Sequence, residues 1–492
     1  MNLRQENNVE LLRQAALLLE AENQRLVAKV VQLTKELANA RGEDASALQL
    51  KIAALEEELA KKNRWLFAPS SEQRRSPQPQ SQPKAQVGHG PSPQPNLKQV
   101  EKVHRLDEAD QVCSSCGGRL SVWAGQFEES EEVEVVERKF VLVKHRRQKY
   151  RCQCGGCVDT ALGPQKLFEG ARYSIDFAIE VAVQKYLDHL PLERQVRMMK
   201  REGLDVDSQT LWDYLERLAR LLESAHERLH QYILLRPVVG VDETGWLLMA
   251  APLGERSKWQ VWALSTAKAI VYRILDSRSA EAAREVLGGY EGIVMADGYS
   301  AYQSLKKQGG KFQLVHCWAH VRREFFDIQD KYPQAQEVLD FIRDLYAIEA
   351  RCPTGPPGDE LRKKLRNEES RLVVAKIHSW ALAQRVLPQS GLGKAISYMG
   401  GLWNGLVRFL DDARIPFDNN ATERALRGPV VGRKNHYGSR SRRGTEVAAL
   451  LYSLLESAKL CGLEPKSYLR SAVAAALTPE QIPLPHEVAS AV

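Results

Sequence analysis

The sequence predicts a multidomain α+β protein: an N-terminal coiled coil, a cysteine-bearing β segment, a helix-turn-helix, and an α/β domain interrupted by a helical insertion. Three observations predict it. Leucines recur every seven residues near the N-terminus, five of the eight cysteines crowd between Cys113 and Cys157, and the apolar pattern turns from helical to strand-like at Pro237. At 492 residues the chain exceeds one ordinary core, and its length suggests about three domains. No run of about 18 apolar residues occurs, so no transmembrane helix is expected. The opening MNLRQENNVE lacks a basic region followed by an apolar stretch, so it does not read as a secretory signal. The expected location is the cytoplasm.

The first segment, 1–68, reads as the coil. Leu12, Leu19, Leu26 and Leu33 mark one seam position, and Val9, Ala16, Asn23, Val30 and Leu37 the other. Leucine at one position with small and β-branched residues at the other favours a parallel dimer, and a buried Asn23 would fix its register. Gly42 interrupts the pattern, which resumes at Leu48, Ile52, Leu55 and Leu59. The expected assembly is a homodimer or a higher oligomer. Residues 69–99 follow as a linker: seven prolines among Ser, Gln and Gly cannot build a core.

Residues 100–170 carry the cysteines. Cys113-Ser-Ser-Cys116-Gly-Gly is a two-residue knuckle, a strand-like stretch runs from Val133 to Val143, and Cys152-Gln-Cys154-Gly-Gly-Cys157 closes the segment. In a reducing compartment such a cluster suggests metal rather than disulfides. Four thiolates suit a structural Zn2+. Cys113, Cys116, Cys154 and Cys157 are the expected ligands because the second pair repeats the knuckle spacing, with Cys152 as the alternative. Next, 171–235 reads as three helices at about 174–188, 191–202 and 208–222. Gly203 ends one, and Asp207 or Ser208 caps the next. Two short helices joined by a tight turn match a helix-turn-helix, whose reading helix would run from Gln209 to Arg217.

The last region, 236–332 with 416–470, starts with β-rich runs at 238–249, 259–264 and 269–275. A helix at about 279–287 follows, then a short buried strand, Gly292-Ile-Val-Met-Ala-Asp297. Another strand, Phe312–His316, precedes a helix from His320 to Asp327. This is the element order of a ribonuclease-H-like domain, in which the first and fourth strands lie side by side. Asp242 and Asp297 would face each other across that pair. Paired carboxylates on strand ends are what two divalent cations about 3.5–4 Å apart require from a protein. A single aspartate at a strand end more often caps a loop.

Four stretches resemble the insertion-sequence-66 family, a branch of the DDE transposases. They are Val241-Asp-Glu-Thr-Gly-Trp246, Asp297-Gly-Tyr-Ser-Ala-Tyr302, Cys317-Trp-Ala-His-Val-Arg-Arg323 and Asp418-Asn-Asn-Ala-Thr-Glu-Arg424. The last continues into Gly432-Arg-Lys-Asn435 and Gly438-Ser439. Leu66-Phe-Ala-Pro-Ser-Ser-Glu72 also matches, with Ala68 where the family usually has Gly. The resemblance spans about Trp65 to Leu469. It implies that Asp242, Asp297 and Glu423 are the catalytic acids, holding two Mg2+ or Mn2+ ions. It also implies DNA as the partner, both element terminal repeats and target, and accessory proteins encoded by the same element. The site of action would be the bacterial nucleoid.

Residues 333–415 read as helical, broken at Pro353-Thr-Gly-Pro-Pro-Gly358, and form the expected insertion. Glu423 returns on a helix with Asn419 and Asn420 near its start. From Arg424 to Arg443 stand seven Lys or Arg and no acid. Arg424, Arg427, Arg433 and Lys434 from this run, with Arg322 and Arg323, are the candidate phosphate contacts. A solvated or salt-bridged surface is the plain alternative. Cys317-Trp-Ala-His320 has the spacing of a metal pair, but no second pair stands nearby, so it reads as packing support with His320 near DNA. The helix from Glu446 to Leu460 closes the core, and 471–492 is an uninformative tail. The competing functions are a DNA-binding regulator with an inactive nuclease fold and a structure-specific nuclease acting on branched DNA.

Overall fold

The computed structural model describes residues 140–492 except 152–157, 252–256, 479 and 492, together with 107, 119, 121 and 122. The expected coil, the linker and all five clustered cysteines lie outside the described residues. Two short antiparallel strands, β1 (Lys149–Arg151) and β2 (Val158–Thr160), flank the second cysteine group in sequence. Phe140 to Val143, the described end of the expected strand, is not in regular structure.

Four helices follow: α1 (Ile175–Tyr186), α2 (Leu192–Arg201), α3 (Ser208–Leu221) and α4 (Glu223–Leu234). Their ends follow local chemistry. Ser174 Oγ accepts from Phe177 N at 3.2 Å, and Asp207 Oδ1 accepts from Thr210 N at 2.6 Å, satisfying first-turn amides. Gly203 supplies the positive φ of +86° in the turn between α2 and α3. Leu211, Tyr214, Leu215, Leu218 and Ala219 form the buried stripe of α3.

The centre is a five-stranded mixed sheet of β3 (Val238–Leu247), β4 (Lys258–Ser265), β5 (Ile270–Leu275), β6 (Ile293–Ala296) and β7 (Gln313–His316). Its order is β5-β4-β3-β6-β7. The first three strands pair antiparallel, whereas β3, β6 and β7 run parallel. Helices α5 (Ala280–Leu287), α6 (Ser300–Lys307) and α7 (Trp318–Phe326) connect or follow the later strands. The first and fourth strands are adjacent, as the element order requires.

Side chains alternate between the sheet's faces, and the cores record it. On β6, Ile293 and Met295 belong to one apolar cluster, Val294 and Ala296 to the other. The larger cluster joins the sheet to α1, α3 and α4, and to α14 (Arg442–Leu460) and α15 (Pro465–Ala476). Helix α14 runs beside the edge strand β5. Ser453 Oγ accepts from Tyr272 N at 2.8 Å, and Ser457 Oγ from Ile270 N at 2.9 Å. The exposed amides of an edge strand are thereby satisfied. Beyond residue 470, where the sequence pattern was uninformative, Ala472, Val473, Ile482 and Leu484 pack into this core, and α16 (Pro485–Ala491) closes the chain.

The smaller cluster belongs to a helical layer. Helices α8 (Ala335–Ala350), α10 (Arg371–Ala383) and α11 (Gly391–Leu406) pack with α7 over Ile293, Met295 and Val315, and the short α9 (Asp359–Leu365) leads into α10. A five-residue π turn, Arg366–Ser370, joins α9 to α10. Two short elements then return the chain to the sheet: α12 (Asn420–Ala425) and α13 (Arg427–His436). Among the described residues, no helix is long and apolar enough to cross a membrane.

Candidate active site

Asp242 lies on β3, and Asp297 is the first residue past β6. The parallel register pairs Gly240 with Met295, so two residues further on the two aspartates come level. Asp297 is tightly held. Its Oδ1 accepts from Tyr299 N at 2.8 Å, and its carbonyl accepts from the Tyr398 hydroxyl at 2.7 Å. The turn after it needs Gly298, whose φ is +102° and whose missing Cβ would lie 2.8 Å from Leu402 Cδ1.

The neighbouring acid, Glu243, behaves differently. Strand alternation sends it to the opposite face from Asp242. There its buried carboxylate accepts from Arg278 Nη2 at 2.6 Å and from the Tyr302 hydroxyl at 2.7 Å. Among the described residues, no cation stands beside Asp242. Burial pushes its carboxyl up to about 8, and the charges of Glu243, Asp297 and Glu423 add to the shift. That list of neighbours also places Glu423 in the same field, although it stands 126 residues after Asp297 in the chain.

The docking of α12 explains how Glu423 arrives. Asn419 Nδ2 donates to Val241 O at 2.8 Å, and Thr422 Oγ1 donates to Asn419 Oδ1 at 2.6 Å. Thr422 Oγ1 also lies 2.7 Å from Ser265 Oγ on β4. Asn419 N donates to the buried Cys317 Sγ at 3.1 Å. This polar seam needs Gly240: a Cβ there would meet Thr422 Oγ1 at 2.2 Å and Asn419 Oδ1 at 2.8 Å. Asn419 is therefore a clamp to the sheet, with no side-chain bond capping its own helix. Sequence reasoning placed it near the helix start and assigned no contact. It also missed Thr422, Ser265, Arg278 and Tyr302, because nothing in the local pattern links residues 35 to 157 positions apart.

His320 meets Glu423 as well. Its Nδ1 is 3.6 Å from Glu423 Oε1, and neither atom has a hydrogen-bond partner although both are buried. Potential ligand atoms of Cys317, His320 and Glu423 all lie within 4.8 Å of one another. The sequence showed no further ligand near Cys317-Trp-Ala-His320; the fold supplies one from α12.

The candidate phosphate contacts divide. Arg424, Arg427 and Lys434 are exposed on α12 and α13. Arg433 is half-buried and donates to Thr244 Oγ1 at 3.0 Å and to Gly245 O, which anchors α13 to β3. Arg322 and Arg323 lie on α7, with the Arg322 guanidinium 5.3 Å from the Phe326 ring. Arg443, from the same basic run, bonds Glu216, Glu223 and Glu446, and so ties α14 to α3 and α4.

Residues 170–447 match the family model described as Transposase IS66 family, a span that contains all three acids and the docking seam. The chain belongs to this family. Residues 110–155 match the zinc-finger binding domain of transposase IS66, so the IS66 zinc-finger segment is present as well. That span includes Cys113, Cys116, Cys152 and Cys154 and stops before Cys157. Among relatives, the uncharacterized protein y4jD of Sinorhizobium fredii (strain NBRC 101917 / NGR234) is 31% identical across 74% of this chain and 74% of its own. Protein y4qI of the same strain is 31% identical across 77% of this chain and 74% of its own. The solved Mos1 transposase paired-end complex with left transposon end is similar across 53% of this chain and 83% of its own. Its identity is 11% and its TM-score 0.13, too low to carry an argument.

Proposed function

We propose that this IS66-family transposase cuts DNA at element ends and joins the freed strands to target DNA, using Asp242, Asp297 and Glu423 as ligands for two Mg2+ or Mn2+ ions in a ribonuclease-H-like domain. One observation carries the reading: the parallel register of β3 and β6 brings Asp242 and Asp297 level, with Glu423 in the same field, and among the described residues no cation balances Asp242. Such a cluster fits a hard divalent cation. The buried, unpartnered Oε1 of Glu423 supplies a donor atom that nothing in the protein uses.

Asp242 and Asp297 would hold the cations from neighbouring strand ends, where the backbone is rigid. Glu423 would reach them from α12, held at the correct depth by Asn419 and Thr422. When bound, the cations supply activation of the attacking oxygen and neutralisation of the leaving oxygen. Arg424, Arg427 and Lys434, with Arg322 and Arg323, would grip phosphates beside the reacting strand. Arg433 would act through α13 by keeping these residues aligned. Helix α3 would read the terminal repeats as the second helix of a helix-turn-helix. Four of Cys113, Cys116, Cys152, Cys154 and Cys157 would bind the structural Zn2+. The N-terminal coil would bring two protomers together so that both element ends are held, with accessory proteins of the element assisting, in the cytoplasm at the nucleoid.

The reading that competes is a DNA-binding regulator with an inactive nuclease fold. Labelled DNA carrying the flanking repeats, incubated with protein, accessory proteins and Mg2+ or Mn2+, separates the two. Nicks at the repeat boundary should appear with wild type and vanish in Asp242→Asn and Glu423→Gln, while DNA binding persists. Binding without cleavage by every version would favour the regulator.

A further inference from the structure

The structure points to a fourth ligand. We propose that His320 binds a divalent cation through Nδ1, opposite Glu423 Oε1. The inference rests on the cation site proposed above and concerns a residue outside its three acids.

The geometry comes first. The separation of 3.6 Å is too long for a hydrogen bond. It suits two donors on one ion, since metal–ligand bonds of about 2.0–2.2 Å put neighbouring donors roughly 3–3.6 Å apart. The second observation is that both atoms are buried and unsatisfied. Leaving a buried polar atom unpaired forfeits the hydration it had in the unfolded chain. Two such atoms facing each other across an ion-sized interval are a site that is completed by something between them.

The corner that holds them is rigid. His320 sits in the first turn of α7, where Trp318 N donates to Phe417 O at 3.3 Å and Trp318 Nε1 donates to Leu406 O at 2.9 Å. The Asn419 amide reaches Cys317 Sγ across the same corner. That bond occupies the sulfur of the third group nearby, and Cys317 is fully buried. The pair the geometry offers is therefore the His320 imidazole nitrogen and the Glu423 carboxylate oxygen, and the cysteine serves as the strut between the two loops.

The chemistry separates two cations. Mg2+ takes oxygen ligands almost exclusively, whereas Mn2+, a first-row transition ion, accepts imidazole more readily. A histidine beside the third acid gives the site a stronger hold on Mn2+ than three carboxylates alone.

The test is pulsed electron paramagnetic resonance of Mn2+ bound to the full zinc-loaded chain. Wild type should show nitrogen modulation from a coordinated imidazole. Labelling histidine with 15N should change that modulation without any mutation. His320→Ala and His320→Gln should lose it and weaken Mn2+ binding by about 10-fold or more, the scale on which loss even of an outer partner acts. Mn2+ binding that needs Asp242 and Glu423 but shows no nitrogen coupling would overturn the role of His320 and leave the three-acid site standing. Mn2+ binding unchanged in Asp242→Asn would overturn both. Weaker DNA binding in His320→Gln, with the nitrogen signal absent from wild type, would make His320 a DNA contact instead.

Discussion

Arg366, buried in the helical layer, and Asp242, half-buried on the sheet, are both ionisable groups held inside the fold, and their surroundings differ completely. Arg366 is 1% exposed, and its guanidinium satisfies every donor. Nε and Nη2 form a paired bond to the Glu349 carboxylate at 2.7 and 2.8 Å. Nη1 reaches the carbonyls of Phe409 and Asp412, and Nη2 that of Ile415. The Phe409 ring lies 5.0 Å below. Among the described residues, Asp242 accepts only from the amide of Glu243 at 2.8 Å and has acids for neighbours. On the proposed reading, the difference separates a structural charge, complete within the chain, from an acid that a bound cation would complete.

The largest effects should follow from removing the unbalanced acids. Asp297→Asn, like the Asp242 and Glu423 variants, should abolish strand cleavage in a gel assay without lowering the metal-free melting temperature. A large loss of stability would make these acids structural and erase the contrast with Arg366. Next comes Arg366→Met. It strands Glu349 in the helical layer and should cost about 3–5 kcal/mol in denaturant unfolding, the usual result of breaking a buried pair. Mn2+ affinity of the folded fraction should not change.

Gly240→Ala tests the seam between the regions. Its Cβ would collide with Thr422 Oγ1. Overpacking of this kind costs about 1–3 kcal/mol. Because the collision displaces α12, cleavage should fall further than the loss of folded protein explains. Equal losses in cleavage and in folded fraction would reduce the seam to packing.

The remaining effects are slopes with pH, spread over several units. Asp242 binds its proton more tightly folded than unfolded, so its contribution is complete below about 4 and is lost as pH rises through about 8. Metal-free wild type should therefore lose stability relative to Asp242→Asn across that window. His226, lowered to about 3 by burial, behaves oppositely. It is neutral in the fold, and its contribution is complete above about 6.5 and falls as pH drops toward 3, by at most about 1.4 kcal/mol per pH unit. Urea titrations between pH 4 and 8 measure both slopes.

Much of the fold could be read from the chain because its signals are local. Asp207 caps α3 through its own side chain, Val238–Leu247 shows strand composition, and β6 ends at a carboxylate followed by Gly298. The helices from Ala335 to Leu406 follow their apolar spacing. Less legible were features made by distance. The segment after 470 shows no distinctive pattern, yet Val473 and Leu484 are core residues. Asn419 looks like a helix-start residue until β3 offers it the Val241 carbonyl. His320 and Glu423 are separated by the whole helical layer in sequence, and only its folding brings them together. Asp242 and Glu423 were recognisable through family motifs; local pattern alone leaves Glu423 a surface helix residue.

The most direct measurement of the central claim is thermal melting of the zinc-loaded chain with and without Mn2+ or Mg2+. A cation that binds only the folded state adds about 2.7 kcal/mol at a concentration 100 times its Kd. Wild type should melt higher with either cation, and Asp242→Asn combined with Glu423→Gln should show no shift. An equal shift in wild type and the double variant would contradict the account, because the cation would then be held somewhere other than among these acids.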